Sequence, residues 1–166
     1  MLKRPPEIAE LSTERVLQEA LDEHRVDLIC LGGFMRLFTA EFVQRWYGRM
    51  LNIHPSLLPS FPGLKTHQQA LDAGVRLHGA SVHFVTPTLD HGPIVLQSAV
   101  PVLAGDDAAT LAARVLDTEH VIYPRAVRWF VEGRIAVDGL RVTVTPPEPQ
   151  WLFLDTTSQN TAREGE

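Results

Sequence analysis

Two short stretches decide what this chain can fold into: the continuous apolar run Asp27-Leu28-Ile29-Cys30-Leu31, and the stretch 49–53 ending in Leu51-Asn52-Ile53. They are largely apolar and do not alternate polar with apolar, so each reads as a strand covered on both faces, the first as a central one. A segment of helical period precedes each. Val16, Leu17, Ala20 and Leu21 form one stripe behind a Ser12 or Thr13 cap, and Phe42, Val43 and Trp46 another behind Thr39, stopping at Gly48. Residues 1–11 read as an extended lead-in, because Pro5-Pro6 disfavours helix there. Strands covered on both faces need helices on both sides of their sheet, which is a layered α/β domain.

The remaining elements agree. Residues 66–73 read as a short helix with Gly74 as its stop, and 80–85 and 94–100 as two strands joined by a turn rich in Pro and Gly. That pair is expected to run antiparallel at the edge of an otherwise parallel sheet. Asp106 or Asp107 caps a long helix carrying Leu111, Val115, Thr118, Ile122 and Ala126 at helical spacing, ending at Gly133. Pro124 is expected to kink or split it, at a cost of ~3 kcal/mol. Residues 134–144 read as a hairpin turning at Asp138-Gly139. Residues 1–145 thus read as one domain, and 146–166 as a Pro-, Thr- and Glu-rich tail expected to be mobile apart from the apolar patch Trp151-Leu152-Phe153-Leu154.

Charge and cysteine usage narrow the classes. A net charge of −5 over 166 residues argues against a nucleic-acid or anionic-membrane surface. No apolar run approaches membrane-spanning length, and the first residues lead into charge rather than a signal sequence, so a cytoplasmic protein is expected. The single Cys30 cannot form an internal disulfide and reads as a small buried hydrophobe.

The chemistry-bearing residues stand at strand ends, where open α/β folds bind ligands. Asn52 and His54, two apart on a strand, point to one face. An amide beside an imidazole is a donor pair for an oxygen gaining negative charge. Asp90, on the neighbouring turn, is placed to orient the imidazole and take up a proton. A plain structural account fits the same residues: a turn cap, a core histidine, and an Asx-turn before Gly92. Seven histidines occur without H-E-x-x-H or a cysteine pair, and His78 and His83, five apart, face opposite ways on a strand, so no metal is expected. Ser56 and Ser81 lack a nucleophile elbow. His67 and His83 are candidates to line the cleft, and Glu119 has a solvated helix face as its plain reading.

Gly33-Phe34-Met35-Arg36, Leu51-Asn52-Ile53-His54-Pro55-Ser56-Leu57-Leu58-Pro59, Pro62-Gly63-Leu64 with Thr66-His67, His78-Gly79, Ser81-Val82-His83-Phe84-Val85 and Leu89-Asp90 with Gly92-Pro93 together resemble glycinamide ribonucleotide formyltransferases. The resemblance spans roughly residues 12–138. It implies a three-layer Rossmann-like formyltransferase fold, with Asn52, His54 and Asp90 as the catalytic trio. By the same resemblance, Phe34, Met35, Arg36, Leu37 and Phe38, with Thr86, Leu89, Asp90 and His91, hold 10-formyltetrahydrofolate, while Pro55 and Glu119 face the glycinamide substrate. It also implies small-molecule partners, no metal, and a monomer or weak homodimer.

One departure stands out. The family opens with a strand and a Gly- and Ser-bearing phosphate loop, which residues 1–26 do not supply, so the sequence reads as N-terminally truncated. It is expected to be a poor transferase, with apolar sheet surface exposed along Leu28, Cys30 and Ile53. Methionyl-tRNA formyltransferases share Asn-x-His-Pro-Ser but carry a nucleic-acid-binding domain. Formyltetrahydrofolate hydrolases show His-His where this chain has His54-Pro55. A non-catalytic folate-binding remnant is the reading from a different class.

Overall fold

A five-stranded sheet, with helices on both faces, carries the fold in a computed structural model that describes residues 6–34 and 36–154. The elements are α1 (Pro6–Glu23), β1 (Ile29–Gly32), α2 (Ala40–Arg45), β2 (Met50–His54), α3 (Thr66–Asp72), β3 (Leu77–Phe84), β4 (Ile94–Pro101), α4 (Ala108–Val131), β5 (Ile135–Asp138), β6 (Arg141–Val144) and β7 (Trp151–Phe153). The main sheet has the order β1-β2-β3-β4-β7, and β5 and β6 form a separate hairpin. Four of its five strands run one way, since β1 pairs parallel with β2 and β4 with β7, while β3 alone is reversed.

The antiparallel strand therefore lies in the middle of this sheet rather than at its edge. The β3–β4 pairing is as expected, but β2 also pairs antiparallel with β3, through Asn52↔His83 and His54↔Ser81. Among the described residues β1 pairs with β2 alone, so in the sheet they form it stands at one margin, where a central strand had been expected. Its apolar run has a different cause: Ile29 and Leu31 pack with Phe42, Trp46 and Met50 beneath α1 and α2, and Tyr123 of α4 approaches the opposite face. That cover is partial, since Ile29 and Leu31 are half-buried and Gly32 is exposed. Cys30 is exposed rather than buried. Of the other residues expected on an open apolar surface, Leu28 is half-buried and Ile53 buried.

Local chemistry explains where the helices start and stop. α1 begins at Pro6, so residues 6–11 are helical rather than extended. A proline in the first turn loses no intrahelical bond, because the first N–H groups have no partner there. Residues 1–5 lie outside the described residues. Thr39 caps α2, its hydroxyl accepting from Phe42 N. Glu14 of α1 locks that cap, its carboxylate accepting from Thr39 N and Thr39 Oγ1, both at 2.6 Å. Asp107 and Thr110 form a reciprocal capping box at the start of α4. The helix runs as one element from Ala108 to Val131 through Pro124, so of the expected kink or split the split does not occur. It is held along its length by a fully buried stripe, Leu111, Val115, Thr118, Ile122, Ala126 and Trp129, which outweighs one missing N–H.

Tyr123 ties α4 to both parallel strands. Its hydroxyl is shared between the carbonyls of Leu31 at 2.8 Å and Leu51 at 3.1 Å, and burial pushes its ionisation up. The β5–β6 turn is Gly139-Leu140, one residue later than expected, because Asp138 pairs with Arg141. The apolar patch beyond residue 145 is part of the sheet: β7 pairs with β4 through Gln97↔Trp151 and Ala99↔Phe153. Residues 155–166 lie outside the described residues.

Candidate functional site

Strand alternation puts Asn52 and His54 on the same face as Met50, and Leu51 and Ile53 on the other. Each of the two has a cross-strand neighbour on β3, so the face carries two lateral rows, Asn52–His83 and His54–Ser81–Gln97. Asp90 reaches this face from the link between β3 and β4. Its backbone is left-handed, φ +51°, a conformation for which a short polar residue is suited. Gly92 lets that link press against β3: a Cβ there would stand 1.6 Å from the Phe84 carbonyl oxygen.

The polar groups close on one another. Asn52 Nδ2 donates to His83 Nε2 at 3.3 Å, and His83 Nδ1 donates to the Phe84 carbonyl at 3.0 Å. His83 is thus a neutral imidazole protonated at Nδ1. Burial pushes its pKa down, against the opposing pull of the Phe84 carbonyl and the Asp90 charge. His54 Nε2 donates to the Phe61 carbonyl at 3.1 Å, which leaves Nδ1 facing Asp90 Oδ1 at 3.6 Å. The same Oδ1 stands 4.0 Å from His83 Nε2. Asp90 Oδ2 accepts from Gly63 N at 2.8 Å. The Asp90 side chain is only 6% exposed, so one carboxylate oxygen is shared between two buried imidazoles.

This arrangement offers an oriented amide with one hydrogen still free, an imidazole with one nitrogen fixed, and a carboxylate beside that imidazole's other nitrogen. Those are the parts needed to hold a developing oxyanion and move a proton. His67 lies nearby but belongs to a second pair, with its Nδ1 3.2 Å from His78 Nε2. Burial, then the charge on His67, pushes His78 down to about 4, and burial lowers His67 as well. Among the described residues no three His, Cys, Asp or Glu side chains gather as a metal ion would require. No helix among them is long and apolar enough to cross a membrane.

The other candidates lie around this centre. Glu119 of α4 is half-buried rather than on a solvated face, and it lines a cleft of about 460 Å³ with Gly33, Ile53, His120 and Tyr123. Burial pushes its carboxyl up, opposed by the charges of His120 and His54. The Pro55 carbonyl accepts from Thr66 Oγ1 at 2.6 Å. Phe34 stacks on Phe38 and Phe38 on Phe42, each with ring centroids 4.7 Å apart. Phe34, Arg36, Leu37 and Phe38 wall a second cleft of about 150 Å³ against Glu14 and Leu17 of α1, and no residue of 86–91 is among its walls. Met35 lies outside the described residues. In the 86–91 turn, Thr86 Oγ1 donates to the Thr88 carbonyl, and His91 N does the same at 3.3 Å. Leu89 and His91 are exposed.

Sequence reasoning brought Asn52, His54 and Asp90 together but missed what holds them. The Phe61 carbonyl and the Gly63 N–H are backbone groups, which leave no mark on residue type. His83 had been one cleft candidate among several. Its role follows from the register of β3 against β2, which spacing within one strand does not reveal.

The family model for formyl transferases matches residues 7–127. The phosphoribosylglycinamide formyltransferase of Escherichia coli is 52% identical over 142 residues, covering 81% of this chain and 66% of that protein. The human trifunctional purine biosynthetic protein adenosine-3 is 52% identical over 115 residues, covering 69% of this chain and 11% of that protein. The crystal structure of phosphoribosylglycinamide formyltransferase from Anaplasma phagocytophilum superposes with a TM-score of 0.81 at 45% identity, covering 84% of this chain and 69% of the other. The chain thus spans less than two thirds of the length of either of these two sequence relatives.

Proposed function

The chain belongs to the formyl transferase family, and from that premise we propose that it moves a formyl group from 10-formyltetrahydrofolate to the amine of glycinamide ribonucleotide, in the cytoplasm, as a step of purine biosynthesis. The observation that carries this reading is the shared Asp90 oxygen, which faces His54 on one side and, on the other, the imidazole that orients Asn52.

The chemistry follows from the atoms left free. The substrate amine bonds to the formyl carbon, and the formyl oxygen gains charge. Asn52 Nδ2 has given one hydrogen to His83 and offers its second to that oxygen, with protonated His54 as the other stabilising group. The amine's proton passes to Asp90. His54 Nε2 is held by the Phe61 carbonyl, so His54 returns a proton to the folate nitrogen from Nδ1, the nitrogen beside Asp90, as the carbon–nitrogen bond to that nitrogen breaks. Loss of one such oxyanion donor costs ~10²–10³ in rate. Phe34, Met35, Arg36, Leu37 and Phe38, with Thr86, Leu89 and His91, are assigned to the folate. Pro55 and Glu119 are assigned to the glycinamide substrate, and the open cleft beside Glu119 supports that part of the assignment.

The test is a three-way assay of the purified chain with 10-formyltetrahydrofolate and glycinamide ribonucleotide. Formylated product supports the reading. Release of formate without product would assign a hydrolase. Calorimetric binding of a non-hydrolysable folate analogue without turnover would assign a folate-binding protein.

A further inference from the structure

Gln97 of β4 stands in the same cross-strand row as His54, with Ser81 between them. Neighbours in such a row project from one face of the sheet. The Gln97 side chain reaches past Ser81 to the segment that follows His54. Its Nε2 donates to the Leu58 carbonyl at 2.9 Å and to Ser81 Oγ at 2.8 Å. Ser81 Oγ in turn donates to the Ser56 carbonyl at 2.7 Å and accepts from Leu58 N at 3.0 Å.

The hydrogens are fully allocated. A carboxamide nitrogen carries two, and a hydroxyl carries one with two lone pairs. The Leu58 carbonyl can only accept, and the hydroxyl hydrogen of Ser81 is already on Ser56. The nitrogen of Gln97, not its oxygen, must therefore point inward. The segment so pinned runs on to Phe61, held at φ +56°, and to Gly63. These two supply the carbonyl on His54 Nε2 and the N–H on Asp90 Oδ2.

We propose that Gln97 is a positioning residue for the reaction. By fixing residues 56–58 it holds the Phe61 carbonyl against His54, which keeps the imidazole protonated at Nε2 and its Nδ1 turned to Asp90. Gln97 touches none of the reacting groups. The inference rests on the reading of His54 as the imidazole that handles protons in formyl transfer. An anchor that served only the stability of the loop would leave the ring tautomer of His54 unchanged.

The experiment is ring-nitrogen NMR on the chain with 15N-labelled histidine, above the histidine titration range, comparing the parent with Gln97→Glu. The substitution keeps the shape but sets a carboxylate oxygen against the Leu58 carbonyl and Ser81 Oγ. In the parent, His54 shows Nε2 protonated. In the variant its two ring-nitrogen signals move towards each other as the other tautomer becomes populated. The His83 signals stay in place, because that ring is set by Asn52 and Phe84. Unchanged His54 signals, or equal movement of His83, overturn the proposal. Gln97→Met, which removes both donors without adding charge, gives the same readout should the glutamate variant not fold. In the unmodified chain, hydrogen exchange decides it without substitution: the Gln97 amide hydrogens and the His54 Nε2–H share one opening, and protection differing by more than about tenfold overturns the link. In a transfer assay, Gln97→Glu lowers kcat roughly ten- to a hundredfold while KM for the folate donor stays within about twofold. The ring-nitrogen result holds whether or not the parent transfers formyl, so failure of this inference and failure of the broader reading are told apart.

Discussion

Asp90 Oδ1 lies 3.6 Å from His54 Nδ1, the one ring nitrogen that the Phe61 carbonyl leaves open. The distance is longer than a direct hydrogen bond, so charge acts between the pair as they stand, and a proton passes when they close to hydrogen-bond contact or through one bridging water.

Asp90→Asn keeps the size of the side chain and an oxygen for Gly63 N but removes the charge. Turnover in formyl transfer is expected to fall by about 10² or more, with the urea-unfolding midpoint nearly unchanged. Near-parental kcat in a steady-state assay would remove Asp90 from the chemistry.

Gly92→Ala tests the turn that carries Asp90. The added Cβ meets backbone at 1.6 Å, which no side-chain rotation relieves. Stability should drop by roughly 2–3 kcal/mol, as in other overpacked sites, and turnover should fall with it. A chemical-denaturation curve that overlays the parent's would show that the link does not press on β3 in solution.

Acidity should weaken the fold before the carboxylates titrate. His78 is fully buried, and its pKa is lowered from 6.5 to about 4. The unfolded chain therefore binds its proton first as pH falls. Stability from this group is complete above pH 6.5 and is lost progressively down to about 4, an effect of roughly 3 kcal/mol at most. His83 and His67 act in the same direction. Glu119, whose carboxyl is raised by burial, acts in the opposite one. Urea unfolding across this range should show the slope, and His78→Leu should flatten it. An equal slope in that variant would place the acid sensitivity elsewhere.

Tyr123→Phe removes a hydroxyl shared by the carbonyls of Leu31 and Leu51. The expected cost is about 1–2 kcal/mol, read by thermal or urea unfolding, with faster amide exchange in β1 than in β4. Uniform exchange changes across the sheet would show that the hydroxyl does not serve the β1–β2 pair in particular.

The sequence made the chemical residues legible for a simple reason. Asn52 and His54 are two apart on one strand, and alternation alone gives them a common face, while the Gly92-Pro93 turn marks where Asp90 must sit. What the residues could not show was lateral. The apolar run of β1 looked central, yet among the described residues it pairs on one side only and leaves Cys30 exposed, because composition reports neither lateral pairing nor how far the helices reach. The same gap hid Gln97, which meets Ser81 only through the β3–β4 register, and His83, whose partner Asn52 lies 31 positions earlier in the chain. Pro124 shows a local rule limited by its surroundings: a buried stripe on both sides of it keeps α4 a single helix where a kink or a split was expected.

The reversal of β3 between β2 and β4 has a consequence for how the molecule can be divided. It lets Asn52, His54, Ser81, His83, Asp90 and Gln97 all come from one unbroken piece of chain, residues 50–101. A nick, an inserted domain or a circular permutation outside that piece leaves every one of these groups covalently joined in its original order. A split inside it, between β2 and β3 for instance, would part the amide and His54 from the imidazole and the carboxylate that orient them. The polar centre is therefore inherited as a single segment, while residues 34–38 and Glu119, assigned to the folate and the substrate, are brought to it from outside that segment.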